Sequence, residues 1–455
     1  MKSKWLIALI PIIYVSILFG RLSNGSAAPF EWDRLGYYSY LPAVFIYHDL
    51  GKLSFYPKVI KKYELAGYEH WYATYPQPEG KRLNKYAIGT SLFQLPFFLL
   101  AHWYNTLADN YPADGFSIPY QYAVSFSTVC WVFFALLLMR KFLLKYFDNT
   151  VVCITLACIA LGTNLFDYSV VSIGMSHPYS FFLFAALLYC TDALYTLGKL
   201  KHLYWIAVIL GIITIVRPVN LIAAIIPTLW KIDGLNSLRK RTSFFKANTK
   251  AIIYAALLFT AILFIQLAYW KYVTGHWLYF SYEGERFIFS EPEMWKGLFS
   301  FRKGWFIYTP IAFVCFIGFC SLWKKDRSFI PALITFFSII IYVVFSWWNW
   351  YYGGTFGCRP LIETLALLSL PLAAFIADIK NSSLSLKTGG YALFALLITL
   401  NLFQTYQHSK NIIHYDRMTA AYYWKVFGAV ERDPSLEIYL MDEEEYLNEL
   451  KGRSK

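Results

Sequence analysis

Charge is what this chain has least of. Of its 455 residues only 15% are Asp, Glu, Lys or Arg, against 58% hydrophobic and 20% aromatic. That ratio excludes a soluble domain of this length. Paired cysteines are missing as well. Cys130, Cys153, Cys158, Cys190, Cys315 and Cys320 fall in or beside apolar runs, only Cys358 lies in a loop, and there is no C-x-x-C pair. A disulfide framework is excluded, and the thiols read as small buried hydrophobes. The chain also lacks G-x-x-x-x-G-K-S/T, G-x-G-x-x-G and H-E-x-x-H, which removes the common nucleotide cradles and the zinc-protease helix. Neither a fixed-period repeat nor a low-complexity segment occurs.

What is present is a series of long uncharged stretches, apolar on every face. Barrel strands would alternate in hydrophobicity over about ten residues, so the class is an all-α polytopic membrane protein. Spans are expected at about 5–20, 119–139, 151–169, 175–197, 203–217, 219–230, 251–270, 306–323, 328–346, 361–379 and 391–407, about eleven in all. The fifth and sixth are short and meet at Arg217-Pro218, which reads as a broken pair. The first follows Met1-Lys2-Ser3-Lys4 and precedes Gly25-Ser26-Ala27-Ala28, so a cleaved signal peptide is the alternative to a span. Either one leaves residue 33 on the far side of the membrane.

The basic residues orient the bundle. The clusters Lys2/Lys4, Arg140/Lys141/Lys145, Lys199/Lys201, Lys231 with Arg239 to Lys250, Lys324/Lys325/Arg327 and Lys380/Lys387 fall on one side only if Tyr86 to Asn105 does not cross. That segment is apolar but carries Gln94, Pro96 and His102, and it is expected as an interfacial or re-entrant helix. The inside segments then hold 18 Lys and Arg against five Asp, and the other 23 basic and 23 acidic residues cancel. The whole formal charge of +13 is therefore a positive-inside signal and not a nucleic-acid surface. The N-terminus is expected inside. Outside lie loops of about 21–118, 271–305 and 346–360, and a tail, 408–455, with an acidic Asp442 to Glu445 run, which reads as amphipathic at best and as solvated along its length.

Three features converge on the loop face. Phe30-Glu31-Trp32-Asp33-Arg34 places carboxylates and a guanidinium just beyond the first span. A carboxylate there can lose solvent and serve as a base; read structurally, Asp33 caps a helix or pairs with Arg34. Arg217-Pro218-Val219-Asn220 puts a cation at the end of an apolar segment, where it suits a phosphate or snorkels to headgroups. Ser346-Trp347-Trp348-Asn349-Trp350-Tyr351-Tyr352-Gly353-Gly354 leads to Arg359. Aromatics stack on sugars, and glycines allow close backbone approach. Lys85 in Asn84-Lys85-Tyr86 is a further cation that can meet an anionic lipid. His177 opens the fourth span. The pair Glu283 and Glu285 and the pair Glu291 and Glu293 each leave a divalent ion open, but neither has an evident third ligand and no metal site is assigned.

These stretches resemble the polyprenyl-phosphate-sugar-dependent glycosyltransferases of the GT-C type, the superfamily of protein O-mannosyltransferases and bacterial aminoarabinose transferases. The likeness runs to about Gln407. Its carriers are the Asp33 region, Asn84-Lys85-Tyr86 leading to Gly89-Thr90 and Leu95-Pro96, Arg217-Pro218, Arg302-Lys303-Gly304-Trp305, and Gly353-Gly354-Thr355-Phe356-Gly357-Cys358-Arg359.

The resemblance implies a GT-C-like transmembrane catalytic domain over 1–407, with interfacial helices in its first outer loop, and a separate outer tail. It implies Asp33 as the catalytic base, although Trp32 separates it from Glu31 where the family has a contiguous acidic pair. Arg217, Arg359 and Lys85 would hold the donor phosphate. Glu31, Tyr37, His177, Tyr282, Glu283, Glu285, Trp350 and Tyr351 would shape the sugar and acceptor pockets.

The expected reaction moves a sugar from a polyprenyl-phosphate donor to a hydroxyl of a glycan, lipid or protein acceptor, with inversion. It uses no cofactor and takes place on the outer face of a bacterial-type inner membrane. Two other classes fit the same spans: a lipid or sugar transporter or flippase, which calls for broken helices in matching halves, and a non-catalytic envelope assembly protein.

Overall fold

The computed structural model describes residues 3–27, 29–65, 71, 73–108 and 110–454. Met1, Lys2 and Ala28, which bear on the signal-peptide alternative, lie outside these. The chain is 71% helical with almost no strand, which fits an all-α bundle.

α1 (Ser3–Ser23) enters a first loop that folds into α2 (Asp33–Tyr38), α3 (Tyr40–Phe45), α4 (Tyr56–Tyr63), an antiparallel hairpin of β1 (Thr74–Pro76) and β2 (Arg82–Asn84), and α5 (Gly89–Ala108). Then come α6 (Ile118–Leu143), α7 (Asn149–Leu161), α8 (Leu165–Val170), α9 (Ser176–Leu197) and α10 (Lys201–Val216). A 3-10 stretch, Pro218–Ala224, runs into α11 (Ile225–Leu229). α12 (Leu235–Ala247) and α13 (Thr249–Thr274) precede the second loop, which holds α14 (Met294–Phe299). After α15 (Trp305–Tyr308), α16 (Pro310–Asp326) and α17 (Ile330–Phe345) comes the third loop, then α18 (Leu365–Lys380) and α19 (Leu384–Ser409). The tail carries α20 (Ala420–Val426) and α21 (Glu443–Ser454).

Among the described residues, six helical runs are long and apolar enough to cross a membrane: α1, α6, α9, α13, the run Pro310–Phe345 made by α16 and α17, and α19. Asn149–Leu161, Lys201–Val216 and Pro218–Leu229 are apolar but shorter. The stretch 151–169 is not one helix, because α7 stops at Leu161 and α8 starts at Leu165. α9 and α18 are central. Every residue of α18 from Leu365 to Ala374 is buried, as an apolar helix surrounded by others must be.

The cationic ends gather at one end of the bundle. Arg140 donates to Ser3 Oγ at 2.8 Å, Lys380 pairs with Asp148 at 2.8 Å, and Lys145 and Lys231 flank Asp192 at 2.8 and 3.8 Å. The three loops meet at the other end.

α5 stands upright along α6 and does not lie flat across the bundle. Trp131 Nε1 donates to the Phe93 carbonyl at 3.0 Å, His102 meets Tyr120 at 2.6 Å, and Asn105 meets Ser117 at 3.0 Å. The two helices are thus antiparallel, and α5 covers only the half of α6 nearer the loops. Phe93, Phe98 and Ala101 are buried on this side, whereas Leu100, Trp103 and Leu107 are exposed on the other.

The tail departs from the solvated segment expected from its acidic run. Ile412, Ile413, Met418, Tyr422 and Val426 form an apolar cluster with Tyr308 and Phe356. Burial of these side chains holds the tail on the bundle, and the acidic Asp442 to Glu445 run stays exposed.

Candidate active site

Pro218 determines where the site forms. A residue before proline is driven out of the helical region, and Arg217 is extended, with φ −149° and ψ 102°. α10 therefore stops just short of the arginine, which lines a cavity of about 480 Å³. The first loop contributes Asp33, Tyr37 and Lys85 to this cavity, and the second contributes Tyr282 and Glu285. The third contributes Trp347, Trp348, Tyr352 and Arg359.

Asp33 opens α2 behind Trp32, whose φ is 51°. Its carboxylate is nearly buried, at 8% residue exposure. Oδ1 accepts a 2.5 Å hydrogen bond from the Tyr86 hydroxyl, and Oδ2 lies 3.1 Å from Arg359 Nη1. The Tyr86 contact requires glycine at position 36, because a Cβ there would stand 2.2 Å from the Tyr86 ring. Asn84 fixes both partners. Its Nδ2 donates to the Gly36 carbonyl at 2.6 Å, and its Oδ1 accepts from the Tyr86 N–H at 3.0 Å.

Each cation of the cavity has its own carboxylate. Lys85 pairs with Glu285 at 2.9 Å, Arg359 with Asp33 at 3.1 Å, and Arg217 with Glu363 at 3.3 Å. Burial works against the Lys85 ammonium, but Glu285 and Asp33 outweigh it and hold its pKa above the ordinary lysine value. Trp348 Nε1 donates to the other Glu285 oxygen at 3.1 Å. The second and third loops are laced together here: Phe287 bridges Trp347 in antiparallel fashion, and the Trp348 N–H donates to the Arg286 carbonyl at 3.0 Å.

Of the residues expected at a site, Asp33, Arg217, Arg359, Lys85, Tyr37, Tyr282 and Glu285 come together, and five others do not line the cavity. Glu31 lies beside Arg34, and burial raises its carboxyl pKa despite that cation. Glu283 is exposed and accepts from Tyr279 at 2.8 Å and Gln77 at 3.2 Å. His177 is fully buried one layer deeper, with Nδ1 3.1 Å from Glu363. Trp350 and Tyr351 face the tail: the Trp350 indole donates to Glu449 at 3.4 Å, and the Arg302 guanidinium stacks 3.4 Å above the Tyr351 ring. The bridge to Phe287 turns Trp347 and Trp348 to the cavity in their place.

Glu363 is the residue that sequence reasoning missed. The available signal was a carboxylate in the apolar run after Arg359, the same signal that marks Arg217.

Behind the third loop, buried Lys303 donates to the Thr355 carbonyl. Burial pushes its amine down to about 7, although Asp416 opposes this. Asp416 also accepts from the Gly354 N–H at 2.9 Å. This contact needs glycine at 353, where a Cβ would meet Asp416 Oδ1 at 2.0 Å. Arg453 of α21 donates to the Trp348 carbonyl at 2.9 Å and pairs with Glu293 at 2.6 Å.

Among the described residues, no group of three or more His, Cys, Asp or Glu side chains is placed to hold a metal ion. Compared with known proteins, the chain matches no family model and no curated protein.

Proposed function

We propose that the protein is a membrane glycosyltransferase of GT-C type, which moves a sugar from a polyprenyl phosphate to an acceptor hydroxyl with inversion. The observation that carries this reading is one cavity in which a nearly buried carboxylate, Asp33, faces two arginines, Arg217 and Arg359, under a wall of aromatic side chains. With no nucleotide cradle in the sequence, the activated sugar arrives in the membrane. Asp33 takes the proton from the acceptor O–H as that oxygen bonds to the anomeric carbon. The bond from the anomeric carbon to the phosphate oxygen breaks, and its electron pair leaves with the polyprenyl phosphate. Arg217 and Arg359 offset the charge that develops there, and Asp33 then returns its proton to water. Trp347, Trp348 and Tyr352 offer ring faces for the sugar. The cavity faces the outside of a bacterial-type inner membrane in this reading, consistent with the gathering of basic residues at the opposite end of the bundle. The acceptor is a glycan, lipid or protein that reaches the cavity from that side.

The test is transfer from polyprenyl-phosphate sugars by the purified protein in liposomes. Wild-type protein should transfer, and Asp33→Asn should lower the rate by about 10²–10⁴ while folding normally. Glu31→Gln, which lies outside the cavity, should change little. Normal transfer by Asp33→Asn removes Asp33 from the reaction. Transfer from no such donor by wild-type protein removes the reaction itself.

A further inference from the structure

The three cations of the cavity differ in how their carboxylates are held. Asp33 and Glu285 line the cavity themselves. Glu363 does not. It is 0% exposed and is gripped from behind by two further groups: His177 Nδ1 lies 3.1 Å from Oε2, and Asn220 Nδ2 donates to Oε1 at 2.8 Å. Those two groups come from the first turn of α9 and from the 3-10 stretch after Pro218, so the carboxylate is fixed by separate elements. Arg217 Nε lies 3.3 Å from the same Oε1, an ion-pair contact without hydrogen-bond alignment. The far edge of the guanidinium has only a long contact, Nη1 to Ser176 Oγ at 3.4 Å, and Arg217 lines the cavity.

We infer that Glu363 is the positioning residue of the anion site: its buried charge draws the Nε edge of Arg217 to itself and leaves the Nη edge to the phosphate of the donor. This rests on the glycosyl-transfer reading above and names a residue that reading does not use. A guanidinium binds phosphate well only when its planar fork is aimed, and its side chain carries much rotational entropy unless something fixes it. A buried carboxylate supplies that fixing. It does not compete with the ligand, because His177 and Asn220 keep it out of the cavity. Arg359 is arranged differently, since its partner Asp33 is itself inside the cavity. Arg217 is therefore the standing half of the anion site, and Arg359 is the half that exchanges partners.

Farnesyl phosphate, a short soluble prenyl phosphate, serves as the probe. Its binding to the full chain in detergent is read by isothermal titration calorimetry, so the measurement does not need catalysis. Arg217→Ala and Glu363→Gln should each weaken binding by about tenfold. The double variant should be no weaker than Arg217→Ala alone, because the two act through one group. Glu363→Asp should recover only part of the loss. Wild-type affinity in Glu363→Gln, or independent losses that multiply in the double variant, overturns the inference and leaves the transfer reading standing. Failure of wild-type protein to bind the probe removes the phosphate site and this inference with it. If Glu363→Gln does not fold, Asn220→Ala replaces it. That variant keeps both charges and removes one anchor, so it should weaken binding several-fold; unchanged affinity counts against the positioning role.

Discussion

Arg359 and Asp33 hold one another at 3.1 Å across the cavity. In the proposed reaction the arginine must meet a phosphate and the carboxylate must meet an acceptor hydroxyl. The two duties compete with the pair itself, so filling the anion site loosens the base.

One consequence can be measured without turnover. Asp33→Asn removes the charge that occupies Arg359, so farnesyl phosphate should bind several-fold more tightly to this variant than to wild type, even as sugar transfer collapses. Arg359→Ala should do the reverse and weaken binding. Equal affinity in wild type and Asp33→Asn would falsify the competition.

Arg217→Lys keeps the charge and loses the fork. Prenyl phosphate affinity should fall several-fold, short of the roughly tenfold fall expected for Arg217→Ala. Isothermal titration in detergent would show it. If both variants bind like wild type, Arg217 is a headgroup anchor only.

Lys303 makes stability depend on pH. Its folded pKa is depressed to about 7 by burial, whereas an unfolded lysine titrates near 10.4. Between those values the unfolded chain holds the proton and the folded chain does not, so this group's contribution to stability rises with pH across that window. Below about pH 7 both states are charged and the full cost of the buried ammonium remains. Lys303→Met should therefore unfold at a higher temperature than wild type at pH 6, and the difference should shrink by pH 9. A difference that grows with pH contradicts the assignment.

Asp416→Ala removes the acceptor of the Gly354 N–H and of the Tyr446 hydroxyl, at 2.9 and 3.2 Å. It should cost about 1–3 kcal/mol of stability, seen as a lower midpoint in thermal unfolding. A tail that merely floated in solvent would leave the midpoint unchanged.

Sidedness is tested by cysteine labelling in a background without native cysteines. Glu283→Cys and Lys240→Cys are both at exposed positions and should react from opposite sides of the membrane, Glu283→Cys from outside. Labelling of both from one side breaks the charge-based layout.

The position of Arg217 is legible in sequence because Pro218 acts on its neighbour alone. Glu363 was equally open to the rule that marks a charge in an apolar run, since nothing about its detection depends on the fold. The Asp33–Arg359 and Lys85–Glu285 pairs are different. They join loops far apart in the chain, and loop composition does not say which carboxylate meets which cation. Periodicity is also silent on which aromatics of the third loop face the cavity. Trp347 and Trp348 do so because Phe287 pairs beside them, and Trp350 and Tyr351 turn away because the tail covers their side. The attitude of α5 is a packing result as well: Gln94, Pro96 and His102 mark it as unusual, but its contacts with α6, Phe93 to Trp131, His102 to Tyr120 and Asn105 to Ser117, stand it upright.

The grip of Arg453 on the Trp348 carbonyl also has a consequence for biosynthesis. The two residues are 105 positions apart, and α18 and α19 both lie between them. At about 5–20 residues per second of synthesis, roughly 5–20 s separate the emergence of Trp348 from that of the arginine that secures it. Through that interval the third loop has only its ties to the second loop, at Glu285, Arg286 and Phe287. The tie to Arg453 is added only after α19 is made, so a chain stalled before it carries this wall braced from one side alone.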